Sequence, residues 1–198
     1  MLRTAFVSSE ARQANLGLPF RHLIRDAVAL DTDRIKTAFT ANEGTKVTHT
    51  ATDFAANVDK DRNVTFKWNS TAGGTVGLVS CVVTGLSPSG ELQSEVLKRS
   101  SIGSATGKKM FKAGSISKLV TLAVGTPGSS ANCEVGVGNA LYVGADIEVD
   151  ADVSLVTVDG VADTVTIDEI NSSFTPTTVP NAARDYEVFG KSTKGLVA

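Results

Sequence analysis

Along this chain the apolar positions change period once. Phe20, Leu23, Ile24, Ala27 and Val28 recur at i, i+3, i+4, i+7 and i+8, which lines one face of an α-helix, while Arg21, His22, Arg25 and Asp26 fall on the other side. Pro19 stands just ahead, where a missing N–H is no loss to a helix. The spacing predicts a short amphipathic helix over 19–30, ended by Asp31-Thr32-Asp33 or continued by a second short turn reaching Phe39. Residues 1–18 read as an extended, irregular arm with scattered apolar positions.

From about Thr45 onward the period is two. Val64, Phe66 and Trp68 alternate with Thr65, Lys67 and Asn69, as in a strand with one buried face. Ala72-Gly73-Gly74 predicts a turn, and Thr75 to Thr84 a second strand that is more uniformly apolar. Ser87-Pro88-Ser89-Gly90 predicts another turn, with Glu91 to Leu97 returning as a hairpin partner. A polar loop spans about 99–108, and strands follow at Met110-Phe111 and Ser115 to Val124. In the last third, acids and apolar residues alternate from Asp146 to Val153. Val153 to Val158 and Val161 to Ile167 flank Asp159-Gly160, a favoured hairpin turn, and Tyr186 and Val188 mark a final strand. Short strands at regular intervals predict a mainly β fold, an antiparallel β-sandwich or barrel-like domain with an extended N-terminal arm and one short helix. The expected divisions are an arm and helix over 1–44, a β-rich domain over 45–126, and a β-rich continuation or second subdomain over 127–198, entered through Gly125–Ser130.

Charge adds an asymmetry. The net charge of -2 gives no basic excess of the kind direct nucleic-acid binding calls for. Residues 1–118 nevertheless hold 16 Lys and Arg against 10 Asp and Glu, while residues 119–198 hold 3 against 11. Two differently charged faces of one molecule account for this; so does a basic surface on one copy that meets an acidic surface on the next. Cys81 and Cys133 lack the spacing of a zinc ribbon or a redox motif and fit a reduced protein, with one disulfide between them left open. No window reaches the roughly 18 apolar residues of a membrane span, and the first ten residues are too weakly apolar for a signal peptide, so a soluble, unexported protein is expected.

Catalytic constellations do not emerge. His22 and His49 are the two histidines, and neither sits in a nucleophile elbow beside a base and an orienting group. Asp146, Glu148, Asp150 and Asp152 would line one face of an extended strand about 6.6 Å apart, a spacing that spreads carboxylates instead of converging them on one cation. Gly136-Val137-Gly138 and the pair Gly103 and Gly107 lack the residues of a phosphate-binding loop. Trp68 falls in phase with Phe66, as core rather than a sugar-stacking platform. No catalytic residue, metal or cofactor is expected. Lys108, Lys109, Lys112 and Lys118 form a loose basic patch around Phe111, read either as solvated surface or as a docking surface for an acidic neighbour.

Two stretches carry a family resemblance. The run Val82-Val83-Thr84-Gly85-Leu86-Ser87-Pro88-Ser89-Gly90-Glu91-Leu92-Gln93-Ser94-Glu95-Val96-Leu97, then Met110-Phe111-Lys112 and Ile116-Ser117-Lys118-Leu119-Val120, resembles a strand-and-turn unit of tailed-bacteriophage virion proteins. Val135-Gly136-Val137-Gly138-Asn139-Ala140-Leu141 is similar to a segment that follows that unit in some phage structural proteins. The likeness departs at Glu95-Val96-Leu97-Lys98-Arg99, where the family has a threonine-rich strand. It implies a non-enzymatic virion protein assembled in the host cytoplasm, a head decoration or cement protein whose partners are the major capsid protein, other virion proteins and copies of itself. A tail, baseplate or receptor-facing fibre component is the alternative within the virion, and a carbohydrate-binding module the alternative outside it. The residues expected to meet partners are Arg3, Phe6, Arg12, Leu16, Leu18 and Phe20 from the leading segment and Lys108, Lys109 and Lys112 from the basic patch.

Overall fold

A computed structural model describes residues 18–145, 147–149 and 152–192. In chain order its strands begin with β1 (Leu18–Ile24), β2 (Asp31–Asn42), β3 (Val47–Thr50), β4 (Arg62–Ala72) and β5 (Val76–Leu86). They continue with β6 (Leu92–Arg99), β7 (Gly103–Thr106), β8 (Lys118–Gly125), β9 (Ser130–Tyr142) and β10 (Val153–Val158). The last are β11 (Val161–Ala162), β12 (Val165–Asp168), β13 (Ser173–Pro176) and β14 (Tyr186–Ser192). The chain forms two compact units, one of residues 28–141 and one that joins residues 1–27 to residues 142–198.

The 28–141 unit is a sandwich of two antiparallel sheets. One runs β3-β8-β5-β6; in the other, β4 pairs β7 and β9, and β9 also pairs β2. Period-two patterning sends Val64, Phe66 and Trp68 inward from β4, and Val79, Cys81 and Val83 inward from β5. Ile35, Phe111 and Leu119 complete a core in which these side chains have essentially no exposure. Residues 125–130 connect β8 to β9 inside this unit, where Ser129 N–H donates to the Thr126 carbonyl at 3.0 Å. Both cysteines are free and buried in this core. Burial pushes the Cys81 thiol up to about 11 and the Cys133 thiol, which also feels Cys81 and Glu134, up to about 12.

The other unit pairs β1 with β14 in one sheet, ordered β1-β14-β10-β11, and adds the hairpin β12-β13. Phe20 pairs with Gly190 and Ile24 with Tyr186 in the β1–β14 register. Its buried residues include Phe174 and Tyr186, whose ring centroids lie 6.3 Å apart, and the Tyr186 hydroxyl donates to the Thr178 carbonyl at 2.7 Å.

The mainly β, antiparallel architecture expected from the sequence is present, but the helix is not. Residues 18–24 are β1, with Phe20, His22 and Ile24 turned toward one face and Arg21 and Leu23 toward the other. A helix of so few turns is marginal in water, whereas β14 offers a backbone partner for every residue of the segment, and that pairing wins. His22, expected on a polar helix face, instead lies over Gly144, where any Cβ would overlap its ring. The second turn expected up to Phe39 is strand β2. The acid–apolar alternation from Asp146 is no continuous strand among the described residues. It bends, and the Asp152 carboxylate accepts the Glu148 and Val149 N–H groups at 2.9 and 3.3 Å. The loop expected over 99–108 holds β7.

His49 makes a prediction of its own. Its ring meets Phe39 edge-on at 4.7 Å, and burial, then Lys36, hold its pKa below the ordinary 6.5 against an opposing pull from Asp53. The folded protein therefore stays neutral there while the unfolded chain takes up a proton. The stability this gives is complete above pH 6.5 and declines as pH falls through the folded value. Urea midpoints taken at about pH 7.5 and about pH 5.5 should differ more in the parent than in His49→Gln. Equal differences would remove His49 from the acid response.

Candidate functional site

The most distinctive surface is the outer face of the β3-β8-β5-β6 sheet. Strand β5 carries apolar residues on both sides: Val79, Cys81 and Val83 enter the core, and Leu78 and Val82 point the other way among Ser80 and Thr84. The register then builds a row across the sheet, with Val120 of β8 opposite Val82 and Val82 opposite Val96 of β6. Adjacent strands lie about 5 Å apart, so three valines span roughly 10 Å. Leu78 opposite Val124 extends the patch on one side. Val96 is 59% exposed and Val124 49%. Strands buried on one side only alternate apolar with polar residues, so an apolar outer face in a sheet of this kind signals a second burial surface.

Cations flank this patch. Lys98 shares the outer face of β6 with Val96, and Lys118 shares that of β8 with Val120; both are exposed. Beside β6 the basic stretch is held in place by Glu95, whose carboxylate accepts the Lys108 and Lys109 N–H groups at 2.7 and 3.3 Å. The Lys109 ammonium donates to the Ser94 carbonyl at 2.9 Å, and Gln93 donates to the Met110 carbonyl at 2.6 Å. The edge of β6 is thus partly covered by its own loop, a familiar defence against edge-to-edge pairing, and the apolar face is left as the surface for contact.

The expected partner-binding residues divide three ways. Lys108, Lys109 and Lys112 are exposed around buried Phe111, so the loop presents its charges outward. Phe20 is half-buried in β1, with its ring against Gly190, where a Cβ would overlap it. Leu18 opens β1, and Arg3, Phe6, Arg12 and Leu16 lie outside the described residues. The apolar row of Val82, Val96 and Val120 was not among the sequence-derived candidates. Its one sequence signal is the more uniform apolarity of residues 75–84.

Two grooves of about 300 Å³ lie elsewhere on the surface. One, lined by Phe39, Ser70, Thr71 and Asn132, holds no titratable group. The other gathers Arg21, Arg25, Asp159, Asp185 and Glu187, but Arg21 is paired with Glu187, and Arg25 lies 3.8 Å from Asp185. Among the described residues no three His, Cys, Asp or Glu side chains are grouped to hold a metal ion, and no helix is long and apolar enough to cross a membrane.

The described residues therefore define a mainly β protein of antiparallel, sandwich-like sheets whose distinctive surface is an apolar, lysine-flanked sheet face. No protein-family model matches the chain, and no curated protein matches it in sequence. Among solved structures it is similar to a chain in the structure of infectious bursal disease virus Gx strain, with 11% identity and a TM-score of 0.30, over 87% of this chain and 37% of that one. It is also similar to the VP2 subviral particle of infectious bursal disease virus, with 11% identity and a TM-score of 0.27, over 87% of this chain and 41% of that one. The chain spans less than half the length of either neighbour.

Proposed function

We propose that this chain is a non-enzymatic structural protein of a phage particle, a head decoration protein that stabilises the shell by bridging subunits. The observation that carries the contact role is the apolar row of Val120, Val82 and Val96 on the outer face of a sheet whose other face already fills the core. The virion assignment is supported by the strand-and-turn resemblance over residues 82–120, which in the fold is the β5–β6 hairpin, the lysine stretch and the start of β8, the segment that builds this face. A repeating shell gains from many weak contacts of fixed geometry, and each adds burial worth about 25 cal/mol per Å² of apolar surface before association costs.

The test is occupancy on the particle. The full chain should sediment with heads and give density on the outer head surface in electron microscopy; density on the tail instead would move it to the alternative virion role. Deleting residues 1–17, which leaves β1 intact, should reduce occupancy strongly while the Trp68 fluorescence transition in urea stays where it was. Unchanged occupancy would remove the leading segment from the contact, and turnover of a glycan substrate by the purified chain would overturn the reading as a whole.

A further inference from the structure

The lysine-flanked face constrains what can cover it. Two copies pairing face to face would gather Lys98 and Lys118 of both into one contact, with no acid in the rows of Ser80, Val82 and Thr84 to offset them. The occupant should instead present an apolar tip among carboxylates. This chain carries one. The two units differ in charge: residues 28–141 hold 12 Lys and Arg against 9 Asp and Glu, whereas residues 1–27 and 142–198 hold 7 against 12. In the acidic unit, the turn between β12 and β13 places Ile170 at its apex, 91% exposed, directly after Asp168 and Glu169.

The turn is built to hold that residue out. Asp168 accepts the Asn171 N–H at 3.2 Å and its side-chain amide at 2.8 Å. Ser172, at a positive φ of 47°, is buried; its hydroxyl accepts the Ile147 N–H at 3.1 Å and its carbonyl the Val143 N–H at 3.0 Å. Local hydrogen bonds thus fix the backbone while the isoleucine itself touches solvent. A large aliphatic side chain on a preorganised turn, preceded by two acids of which Asp168 also caps the turn, is the complement of an apolar row flanked by two lysines.

We propose that the Ile170 turn of one copy docks on the Val120–Val82–Val96 face of a second copy, linking copies head to tail. The contact is heterologous, so repetition yields a ring or an open string, a suitable geometry for a protein that lines up along a shell. This rests on the reading of the chain as an assembling protein and names its partner as another copy of itself. The experiment therefore uses purified chain in solution, where particle occupancy plays no part.

Sedimentation of the full-length chain should show association that weakens from about 0.05 to about 0.5 M salt. Ile170→Glu and Val96→Glu should each weaken it about 30-fold, with unchanged thermal transitions by circular dichroism because both side chains are exposed. Each variant keeps one sound half of the contact. An equimolar mixture should therefore form dimers and stop there, since the Val96→Glu copy offers its turn to the face of the Ile170→Glu copy. A wild-type chain that stays monomeric at low salt, an Ile170→Glu protein that associates as well as wild type, or a mixture that remains monomeric would each overturn the proposal. Head occupancy measured separately would still decide the broader reading.

Discussion

Replacing Arg62 with alanine should lower the unfolding free energy of the 28–141 unit by about 3–5 kcal/mol, because it removes one partner from a buried ion pair. The Arg62 side chain is fully buried; it meets Asp59 at 3.0 Å and donates to the Val28 carbonyl at 2.9 Å and to the Gly138 carbonyl. Its own backbone exchanges hydrogen bonds of 3.0 and 2.9 Å with Phe111. One guanidinium thus ties the start of β4 to the segment before β2 and to β9. Alanine leaves Asp59 with only 11% side-chain exposure and without that cation, and leaves two carbonyls without their donor. Arg62→Lys should rescue little, since a single ammonium lacks the planar fork that reaches several acceptors at once. The chain has one tryptophan, Trp68, buried in this unit, so its emission in urea reads the unit directly. With a slope of about 2 kcal/mol per M, the midpoint should fall by about 2 M; a fall of a few tenths would mean that the network contributes almost nothing.

How much of this was legible in the sequence follows from where each signal resides. The strict alternation at Val64, Phe66 and Trp68 reports a one-sided strand, and the glycine and proline turns at 72–74 and 87–90 report its neighbours; these were readable because they are local. Strand β1 was not. Phe20, Leu23 and Ile24 satisfy a helical stripe as well as a strand, and what decides between them is β14, about 165 residues away. Periodicity carries no information about a partner that distant. The candidate site was half legible for a related reason. Lysines 108, 109 and 112 are visible as a cluster, but the row of Val120, Val82 and Val96 exists only through the registers of β8 with β5 and β5 with β6. Ile170 is a lone isoleucine in a polar stretch, ordinary until the turn that projects it is known. Arg62 reads in sequence as one more surface charge, since burial of a guanidinium depends on carbonyls supplied by other segments.

The core and the outer face predict different kinds of failure, and Gly136 is the sharpest core example. Between the Asp31–Val137 and Lys36–Val135 pairs, β2 sets four residues against a single residue of β9, which is Gly136. The β2 backbone closes directly over it, so an alanine Cβ would overlap the Asp31 carbonyl oxygen and the Thr32 carbonyl carbon. Neither is the movable end of a side chain. Relief requires shifting the bulge that delivers Ile35, fully buried, to the core. Gly136 has no positive φ, so alanine is tolerated by its backbone and the whole cost is steric. Gly136→Ala should therefore destabilise by about 3 kcal/mol, at the upper end for overpacking. Gly77→Ala is the control: its Cβ would meet only the Val124 carbonyl at an ordinary 3.8 Å, and a restrained unfolded chain should leave it neutral or slightly stabilised. Both are read from the Trp68 transition in urea. In a particle assay, Gly136→Ala should lose incorporation together with that transition, whereas Val96→Glu should lose it with the transition intact. A Gly136→Ala protein as stable as Gly77→Ala would mean that β2 does not close over β9 at this point, and the delivery of Ile35 to the core would need another cause.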